Sequence, residues 1–314
     1  MRRYLITGGA GFIGANLAAA LANRQGAEVV VADDFSSGEW RNLLHVDCEL
    51  RAADCDSPAL LKDVSDGRFE AVLHQAAITD TTIMDQRRMI EVNTNAFADL
   101  LAASAESGTR VVYASSAGVY GNSPAPNTVG GGEEPENIYG FSKLAMDRIA
   151  ARWHERHPAT IVGLRYFNVY GPGESHKQKT SSMILQLYQQ VKAGKRPRLF
   201  KHGEQRRDFV YIRDVIGANM AALEAPRSGI CNVGSGMSRC FNDIIANLGR
   251  LLKQDLEVDY FDNPYDFYQN HTEAEMSATT KLLDWRPEWS LEDGMKEYIR
   301  LLEDDHNGPV GGQA

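Results

Sequence analysis

The first 170 residues alternate between short apolar runs and longer stretches with helical spacing. The runs that predict buried strands lie at 4–7, 29–32, 71–73, 110–114 and 160–166. The stretches with helical spacing between them lie at 12–23, 89–107 and 139–157. Continuous apolar strands joined by helices are typical of a parallel sheet covered on both faces. This half of the chain therefore predicts an α/β fold.

After about residue 168 the pattern changes to helical segments with short strands between them. The predicted helices lie at 181–193, 241–253, 273–283 and 291–303. The apolar stretches 209–212 and 230–233 are predicted to return to the first sheet. The whole pattern predicts a first domain over 1–167 with a returning segment at about 208–233, a smaller C-terminal α/β lobe over 168–207 and 234–304, and a disordered tail over 305–314.

Composition narrows the class of protein. The formal net charge of -9 argues against nucleic-acid or membrane-surface binding, which favour a basic face. The four cysteines form no C-x-x-C pair, and no His/Cys/carboxylate cluster has metal-ligand spacing, so we expect reduced thiols and no metal site. The apolar run that follows Arg3 stops at Thr7, too short for a signal peptide or a membrane span. These features predict a cytoplasmic protein.

A glycine-rich run at 7–14 (Thr-Gly-Gly-Ala-Gly-Phe-Ile-Gly) lies between the first strand and the first helix. Gly8, Gly11 and Gly14 have the spacing that gives a tight turn, close approach to a pyrophosphate and close helix–strand packing. Asp33 ends the second strand about 20 residues later, where a carboxylate can accept from an adenosine ribose. The run predicts a dinucleotide site on a Rossmann-type doubly wound sheet.

A second motif is Tyr139-Gly-Phe-Ser-Lys143. A tyrosine and a lysine four apart in a helix lie on one face, and a nearby ammonium favours the phenolate. Ser116 follows a predicted strand and can bond a substrate hydroxyl. The three residues are candidates for acid–base chemistry on an alcohol. The segment 122–135, rich in Gly, Pro and Asn, predicts a flexible loop near this site.

Together these motifs resemble the extended short-chain dehydrogenase/reductase family. The resemblance is carried by the glycine run, Leu73-His-Gln-Ala-Ala77, Asn93, Ser116 and the Tyr139/Lys143 pair, and it covers nearly the whole chain. It implies that Ser116, Tyr139 and Lys143 are catalytic and that the enzyme holds a nicotinamide dinucleotide tightly and forms a homo-oligomer. The implied cofactor contacts are Gly8, Gly11, Phe12, Ile13, Gly14, Asp33, Asp34, Arg41, Gln75, Ala76, Ala77, Asn93, Tyr139, Lys143 and Val169.

One branch of that family matches further. Arg165-Tyr-Phe-Asn168 continuing to His176-Lys177, with Thr79-Asp-Thr-Thr82 and Arg206-Arg-Asp-Phe-Val-Tyr211, resembles the ADP-glycero-manno-heptose 6-epimerases. The resemblance implies that Lys177 is a second catalytic base, and inversion of an alcohol through a ketone is consistent with one base on each side. The implied pathway is the formation of the heptose precursor of lipopolysaccharide. The implied substrate contacts are Ser116, Asn168, Lys177, Phe200, Arg207 and Tyr268.

Several alternatives stay open at this stage. Lys179 could replace Lys177 as the second base, and Arg207 could form an ordinary ion pair with Asp208. A UDP-hexose 4-epimerase of the same family is the competing enzyme, and a non-catalytic dinucleotide-binding scaffold is the competing class. A dehydratase is disfavoured because no acidic pair follows Ser116.

The form of the cofactor is also open between NADP and NAD. The resemblance favours NADP, although Trp40 stands where a lysine is expected, with Arg41 beside it. The second carboxylate, Asp34, would repel a 2′-phosphate, whereas Arg41 or the serines at 36–37 could accept one.

Overall fold

A computed structural model describes residues 2–262, 269–304 and 308–309. The strands in these ranges are β1 (Arg2–Thr7), β2 (Ala27–Asp33), β3 (Glu49–Ala52), β4 (Ala71–His74), β5 (Arg110–Ser116), β6 (Ile161–Tyr166), β7 (Asn168–Tyr170), β8 (Arg198–Phe200), β9 (Arg206–Tyr211), β10 (Gly229–Val233), β11 (Ser238–Cys240) and β12 (Asp259–Phe261). The α-helices there are α1 (Phe12–Ala22), α2 (Pro58–Ser65), α3 (Gln86–Ile90), α4 (Ala96–Ser107), α5 (Ile138–His154), α6 (Met183–Lys192), α7 (Ile212–Leu223), α8 (Phe241–Leu252), α9 (Ser277–Leu283) and α10 (Leu291–Glu303).

The centre of the protein is a parallel sheet of seven strands among the described residues, in the order β10-β6-β5-β4-β1-β2-β3. Side chains on a strand alternate between the two faces, and β1 shows the result. Tyr4 and Ile6 join the core cluster that contains α1, whereas Leu5 packs with Leu60 of α2 and Leu100 of α4. Both faces are therefore covered, and the prediction of a Rossmann-type doubly wound sheet is confirmed.

The predicted sheet is wrong for one strand. Residues 209–212 do not return to the large sheet: β9 pairs in parallel with β7 and antiparallel with β11 in a separate three-stranded sheet. Its apolar residues Phe209 and Val210 are buried, so apolarity alone could not distinguish the two sheets. Ile212 begins α7, which packs against α1. The other returning strand, β10, does pair with β6 at the edge of the large sheet.

Several elements were missed because their sequences carry no apolar run. β3 (Glu-Leu-Arg-Ala) is a short and mostly exposed edge strand, and α2 follows it. The short strands β7, β8, β11 and β12 have three residues each, which is below what periodicity can resolve. The helix predicted over 273–283 begins four residues later, at Ser277.

The 122–135 loop, predicted to be flexible and near the site, is tied to the body of the protein. Glu133 forms an ion pair with the buried Arg165 at 2.6 Å, and Asn232 donates to the Asn127 carbonyl at 2.8 Å. The predicted tail lies outside the described residues except for 308–309. Within the described ranges, no helix is long and apolar enough to cross a membrane.

Candidate active site

A cleft of about 1320 Å³ opens at the carboxyl ends of the parallel strands. Its wall includes the residues that follow β1, β3, β4 and β6 and those that end β2 and β5, such as Gly8, Asp33, Gln75, Ser116 and Phe167. Ligands of open α/β sheets bind at this edge, because the loops that leave the strands converge there. The cleft is therefore the candidate active site.

The glycine-rich turn forms one end of the cleft. A Cβ on Gly14 would lie 2.2 Å from the Gly8 carbonyl oxygen, and a Cβ on Gly8 would lie 2.6 Å from the Ala76 nitrogen. Gly8 also has a φ of +66°, which disfavours other residues. The turn leaves room for a pyrophosphate at the amino terminus of α1, where backbone N–H groups and the helix dipole favour an anion. Gly11, Phe12 and Ile13 line the same end.

Asp33 lies at the end of β2, almost fully buried. One carboxylate oxygen accepts from the Ala10 N–H at 2.9 Å and the other from the Phe35 N–H at 2.8 Å. Burial raises the pKa of Asp33, while these two hydrogen bonds oppose the rise. Asp33 and Asp34 both line the cleft, so the predicted ribose-binding carboxylate is in place.

Arg41 is not brought into the cleft wall. Its guanidinium pairs with Glu39 at 3.0 Å and stacks over the Trp40 ring at 4.7 Å, and the side chain is exposed. The two serines at 36–37 do line the cleft, beside Asp34. Of the candidates for a 2′-phosphate, the serines are therefore the ones at the site.

Gln75, Ala76 and Ala77 line the cleft as the residues after β4. The Gln75 side chain accepts from the Tyr166 hydroxyl at 3.2 Å. Asn93 lies behind the wall and not in it: its amide accepts from the Ile78 N–H at 2.8 Å and donates to the Ile78 carbonyl at 3.0 Å. The structure places Asn93 as a support for the β4 loop.

Ser116 and Tyr139 meet because α5 packs closely against the turn after β5. A Cβ on Gly140 would lie 2.4 Å from the Gly118 carbonyl, so only glycine permits this approach. Ser116 ends β5 and accepts from the Gly118 N–H at 3.0 Å. Burial raises the pKa of Tyr139, and its hydrogen bond with Ser116 opposes the rise. The net direction is opposite to the lowering expected from Lys143.

Lys143 is fully buried one helical turn from Tyr139. Its ammonium donates to the Ala114 carbonyl at 2.8 Å and lies 6.0 Å from the centre of the Tyr139 ring. Burial lowers the pKa of Lys143 to about 8, while Asp147, one turn further along α5, favours the charged form. Asp147 is itself bound by Arg165 at 2.9 Å. Lys143 can thus act on Tyr139 through its charge.

Lys177 lies in the segment between β7 and α6 and lines the cleft wall together with Lys179. Its ammonium lies 5.9 Å from the centre of the Phe12 ring, and burial lowers the pKa of the ammonium. The segment is shaped by the buried Glu174, whose carboxylate accepts from the Gly171 N–H at 3.2 Å and the Ser182 hydroxyl at 2.7 Å. Lys177 is half-buried and Lys179 is exposed, and both line the wall as candidates for a second base.

The predicted substrate contacts fall into two groups. Asn168 and Val169 of β7 line the cleft. Phe200 and Arg207 do not: Phe200 packs its ring against Phe261 at 5.7 Å, and Arg207 is buried and donates to the Arg206 carbonyl at 2.8 Å. Tyr268 lies outside the described residues.

The Arg207–Asp208 pair considered above is not what binds Asp208. The Asp208 carboxylate accepts from the N–H groups of Gly236 and Ala274 at 2.9 Å each and from the Ser235 hydroxyl at 2.7 Å. These contacts join β9 to the loop that follows β10, at Ser235 and Gly236, and to Ala274.

Sequence reasoning missed part of the wall. Residues 53–56, which follow the unpredicted β3, also line the cleft, as do Thr79, Asp80, Ile83, Asp85, Arg88 and Glu91. The acidic side chains of the wall are Asp33, Asp34, Asp54, Asp56, Asp80, Asp85 and Glu91, against the basic Arg88, Lys143, Lys177 and Lys179. The two aspartates on either side of Cys55, Asp54 and Asp56, were the available signal. No group of His, Cys, Asp and Glu that could hold a metal is found among the residues described.

Comparison with known proteins supports the geometry. Residues 4–234 match the NAD dependent epimerase/dehydratase family. The ADP-L-glycero-D-manno-heptose-6-epimerase of Thiobacillus denitrificans is 36% identical, over 96% of this chain and 100% of that protein. A crystal structure of the Helicobacter pylori ADP-L-glycero-D-manno-heptose-6-epimerase is 45% identical, with a TM-score of 0.90 and 96% of each chain covered.

A third relative shows the ligands of a neighbouring activity. The UDP-glucuronic acid 4-epimerase of Bacillus cereus, solved in complex with UDP-glucuronic acid and NAD, is 27% identical, with a TM-score of 0.83 and coverage of 96% of this chain and 99% of that one. The glycine turn and Asp33 fit the same kind of cofactor. The family match spans more than two thirds of the sequence and the relatives span nearly all of it. The chain therefore belongs to the NAD dependent epimerase/dehydratase family and is a nicotinamide-dependent epimerase.

Proposed function

We propose that the protein interconverts ADP-D-glycero- and ADP-L-glycero-manno-heptose by inverting C6 through a 6-keto sugar. The observation that carries the proposal is the cleft itself, where Ser116, Tyr139 and Lys143 share the wall with Lys177 and Asn168. Identity to heptose epimerases over nearly the full chain supports the choice of sugar. The implied role is supply of the heptose precursor for lipopolysaccharide.

The glycine cradle and Asp33 would hold the dinucleotide, with Gln75 and Val169 in the wall nearby. When bound, the nicotinamide supplies reversible acceptance of a hydride. Ser116 binds the reacting hydroxyl and Tyr139 takes or returns its proton for one epimer. Lys143, whose ammonium lies 6.0 Å from the centre of the Tyr139 ring, favours the phenolate by its charge and so acts against burial, which raises the pKa of Tyr139.

Lys177 handles the same proton for the other epimer. Two features support its role over that of Lys179. Lys177 is half-buried, with its ammonium 5.9 Å from the centre of the Phe12 ring, whereas Lys179 is exposed. Burial also lowers the pKa of Lys177, which favours the neutral amine that a base requires. Asn168 orients the sugar from β7. Phe200 and Arg207, which do not line the cleft, and Tyr268, which lies outside the described residues, stay proposed substrate contacts because of the resemblance to the heptose epimerases.

The dinucleotide is NADP in this proposal. Ser36 donates its N–H and its hydroxyl to Asp34 at 2.9 and 2.7 Å, so Ser37, which also lines the cleft, is the serine that can receive a 2′-phosphate without Arg41. We also propose that the chain divides at residue 167 into a dinucleotide domain and a substrate lobe, with β10 returning to the first domain, and that it works in the cytoplasm as a homo-oligomer.

The test is to incubate the purified protein with ADP-D-glycero-D-manno-heptose, and separately with UDP-galactose, and to follow the sugar stereocentres by NMR. Equilibration at C6 of the heptose alone is the expected result. Turnover of UDP-galactose instead would replace the proposal with 4-epimerisation. The matched control is Tyr139→Phe, which should retain the dinucleotide and lose epimerisation. The nucleotide released on heat denaturation identifies NADP or NAD.

A further inference from the structure

The segment that carries Lys177 is attached to the dinucleotide-binding turn through His176. The Asn42 amide donates to the Ala10 carbonyl at 3.0 Å, and the same nitrogen lies 3.2 Å from Nδ1 of His176. Asn42 is almost fully buried. Both hydrogens of its amide are thus used, one on the glycine-rich turn and one on the Lys177 segment.

The contacts of Asn42 continue through Ala10 to Asp33. The N–H of Ala10 donates to Asp33, so Asp33, Ala10, Asn42 and His176 form one connected set. A neutral imidazole can accept at Nδ1 from the Asn42 amide.

We infer that His176 is a positioning residue that holds Lys177 in the cleft by tying its segment to the turn between Asp33 and Asn42. The inference rests on the proposed function only for the role of Lys177. The residues that support the adenosine end of the dinucleotide then also support the second base. Proper placement of a reacting group governs rate, since a misplacement of about 1 Å can cost on the order of 100-fold.

The chemistry of His176 suits a fixed contact. Burial and the neighbouring Lys177 lower the pKa of His176, while Glu39 and Asp33 oppose the change. The ring therefore stays neutral near pH 7 and keeps an acceptor for Asn42. A second attachment, from the Asn16 amide to the Pro172 carbonyl at 3.0 Å, holds the start of the segment but not its Lys177 end.

The experiment compares His176→Ala, His176→Asn and His176→Gln in the full-length enzyme with its own dinucleotide bound. Asparagine places a carbonyl near the position of Nδ1 and can accept from Asn42, whereas the glutamine carbonyl reaches the position of Nε2. Hydrogen exchange of the amides at 174–181 is measured by mass spectrometry, together with kcat and KM for the heptose substrate. His45→Ala, an exposed histidine three residues past Asn42, is the control.

His176→Ala and His176→Gln should raise exchange at 174–181 about tenfold or more and lower kcat on the order of 100-fold, with KM changed much less. His176→Asn should restore both. Asn42→Ala combined with His176→Ala should be no slower than Asn42→Ala alone. Unchanged exchange in the alanine variant, or equal impairment of the asparagine and glutamine variants, would overturn the inference. The exchange measurement needs no sugar, so it stands even if the heptose is not the substrate.

Discussion

Two parts of the cleft wall, the glycine-rich turn and the Lys177 segment, are built in different ways. In the turn, close backbone approaches set the shape: the approach of Gly14 to Gly8 and of Gly8 to Ala76 leaves no room for a Cβ. In the Lys177 segment, side-chain hydrogen bonds set the shape, among them those of Glu174 and Asn42. The first kind of structure requires glycine at particular positions, whereas the second requires particular side chains and their hydrogen-bond partners.

The largest effect on the rate should come from the Lys177 segment. Lys177→Met should lower epimerisation by about 10²–10⁴-fold, the usual contribution of an acid–base group. Lys179→Met is the matched control, since Lys179 lines the same wall two positions on, and it should keep most of its activity. Rates are measured by NMR from each epimer separately. The reverse ranking of the two variants would transfer the role to Lys179.

In the glycine-rich turn, Gly14→Ala should abolish binding of the dinucleotide. It should also lower the free energy of unfolding by about 1–3 kcal/mol, because the new Cβ meets backbone that cannot move aside. Gly131→Ala is the control: the nearest atom to its Cβ would be 3.8 Å away. Dinucleotide per chain and thermal melting are the measurements. A Gly14→Ala protein with full cofactor content would show that the turn relaxes.

A smaller effect concerns Lys143, which lies in the cleft wall beside Tyr139. Its pKa of about 8 is below the 10.5 of an exposed lysine, so from pH 8 to 10.5 the unfolded chain binds more protons. The unfolding free energy of the wild type relative to Lys143→Met should therefore rise with pH across that window, by up to about 1.4 kcal/mol per pH unit. Urea unfolding at several pH values measures it, with the exposed Lys296→Met as control. A difference in unfolding free energy that does not change with pH would contradict the lowering of the Lys143 pKa by burial.

The smallest expected effect is that of Arg41→Ala. Because Arg41 is exposed and paired with Glu39, the bound NADP per chain should change less than about threefold. Ser37→Ala, at the cleft wall, is the comparison and should lower NADP content more. A loss of more than about tenfold in Arg41→Ala would mean that the guanidinium leaves Glu39 when a 2′-phosphate is present.

The sequence was informative where structure is local. The glycine run, the buried strands and the Tyr139/Lys143 helix follow from spacing and residue type, so these elements could be predicted. Two kinds of feature could not. β3 is a polar edge strand, so no hydrophobic pattern indicates it or the cleft residues after it. Arg41 lies outside the cleft wall, where its guanidinium pairs with the carboxylate of Glu39.

The sheet that β9 joins also could not be predicted from the sequence. Burial is common to both sheets, so an apolar run predicts a strand without saying which sheet receives it. The contact between Asn42 and His176 joins residues 134 positions apart, and neither residue is unusual in its own segment. Only the folded chain brings them together.

The acidic wall of the cleft also has a consequence for the rate at which ligands arrive. A dinucleotide and a nucleotide-linked sugar are both anions, and they approach a chain of net charge -9 whose cleft carries more carboxylates than ammonium or guanidinium groups. Long-range attraction cannot speed such an encounter, and like charges slow it. Raising ionic strength screens the repulsion, so association should become faster with added salt. An enzyme that keeps its cofactor through each turnover meets this barrier once for the cofactor and repeatedly only for the sugar.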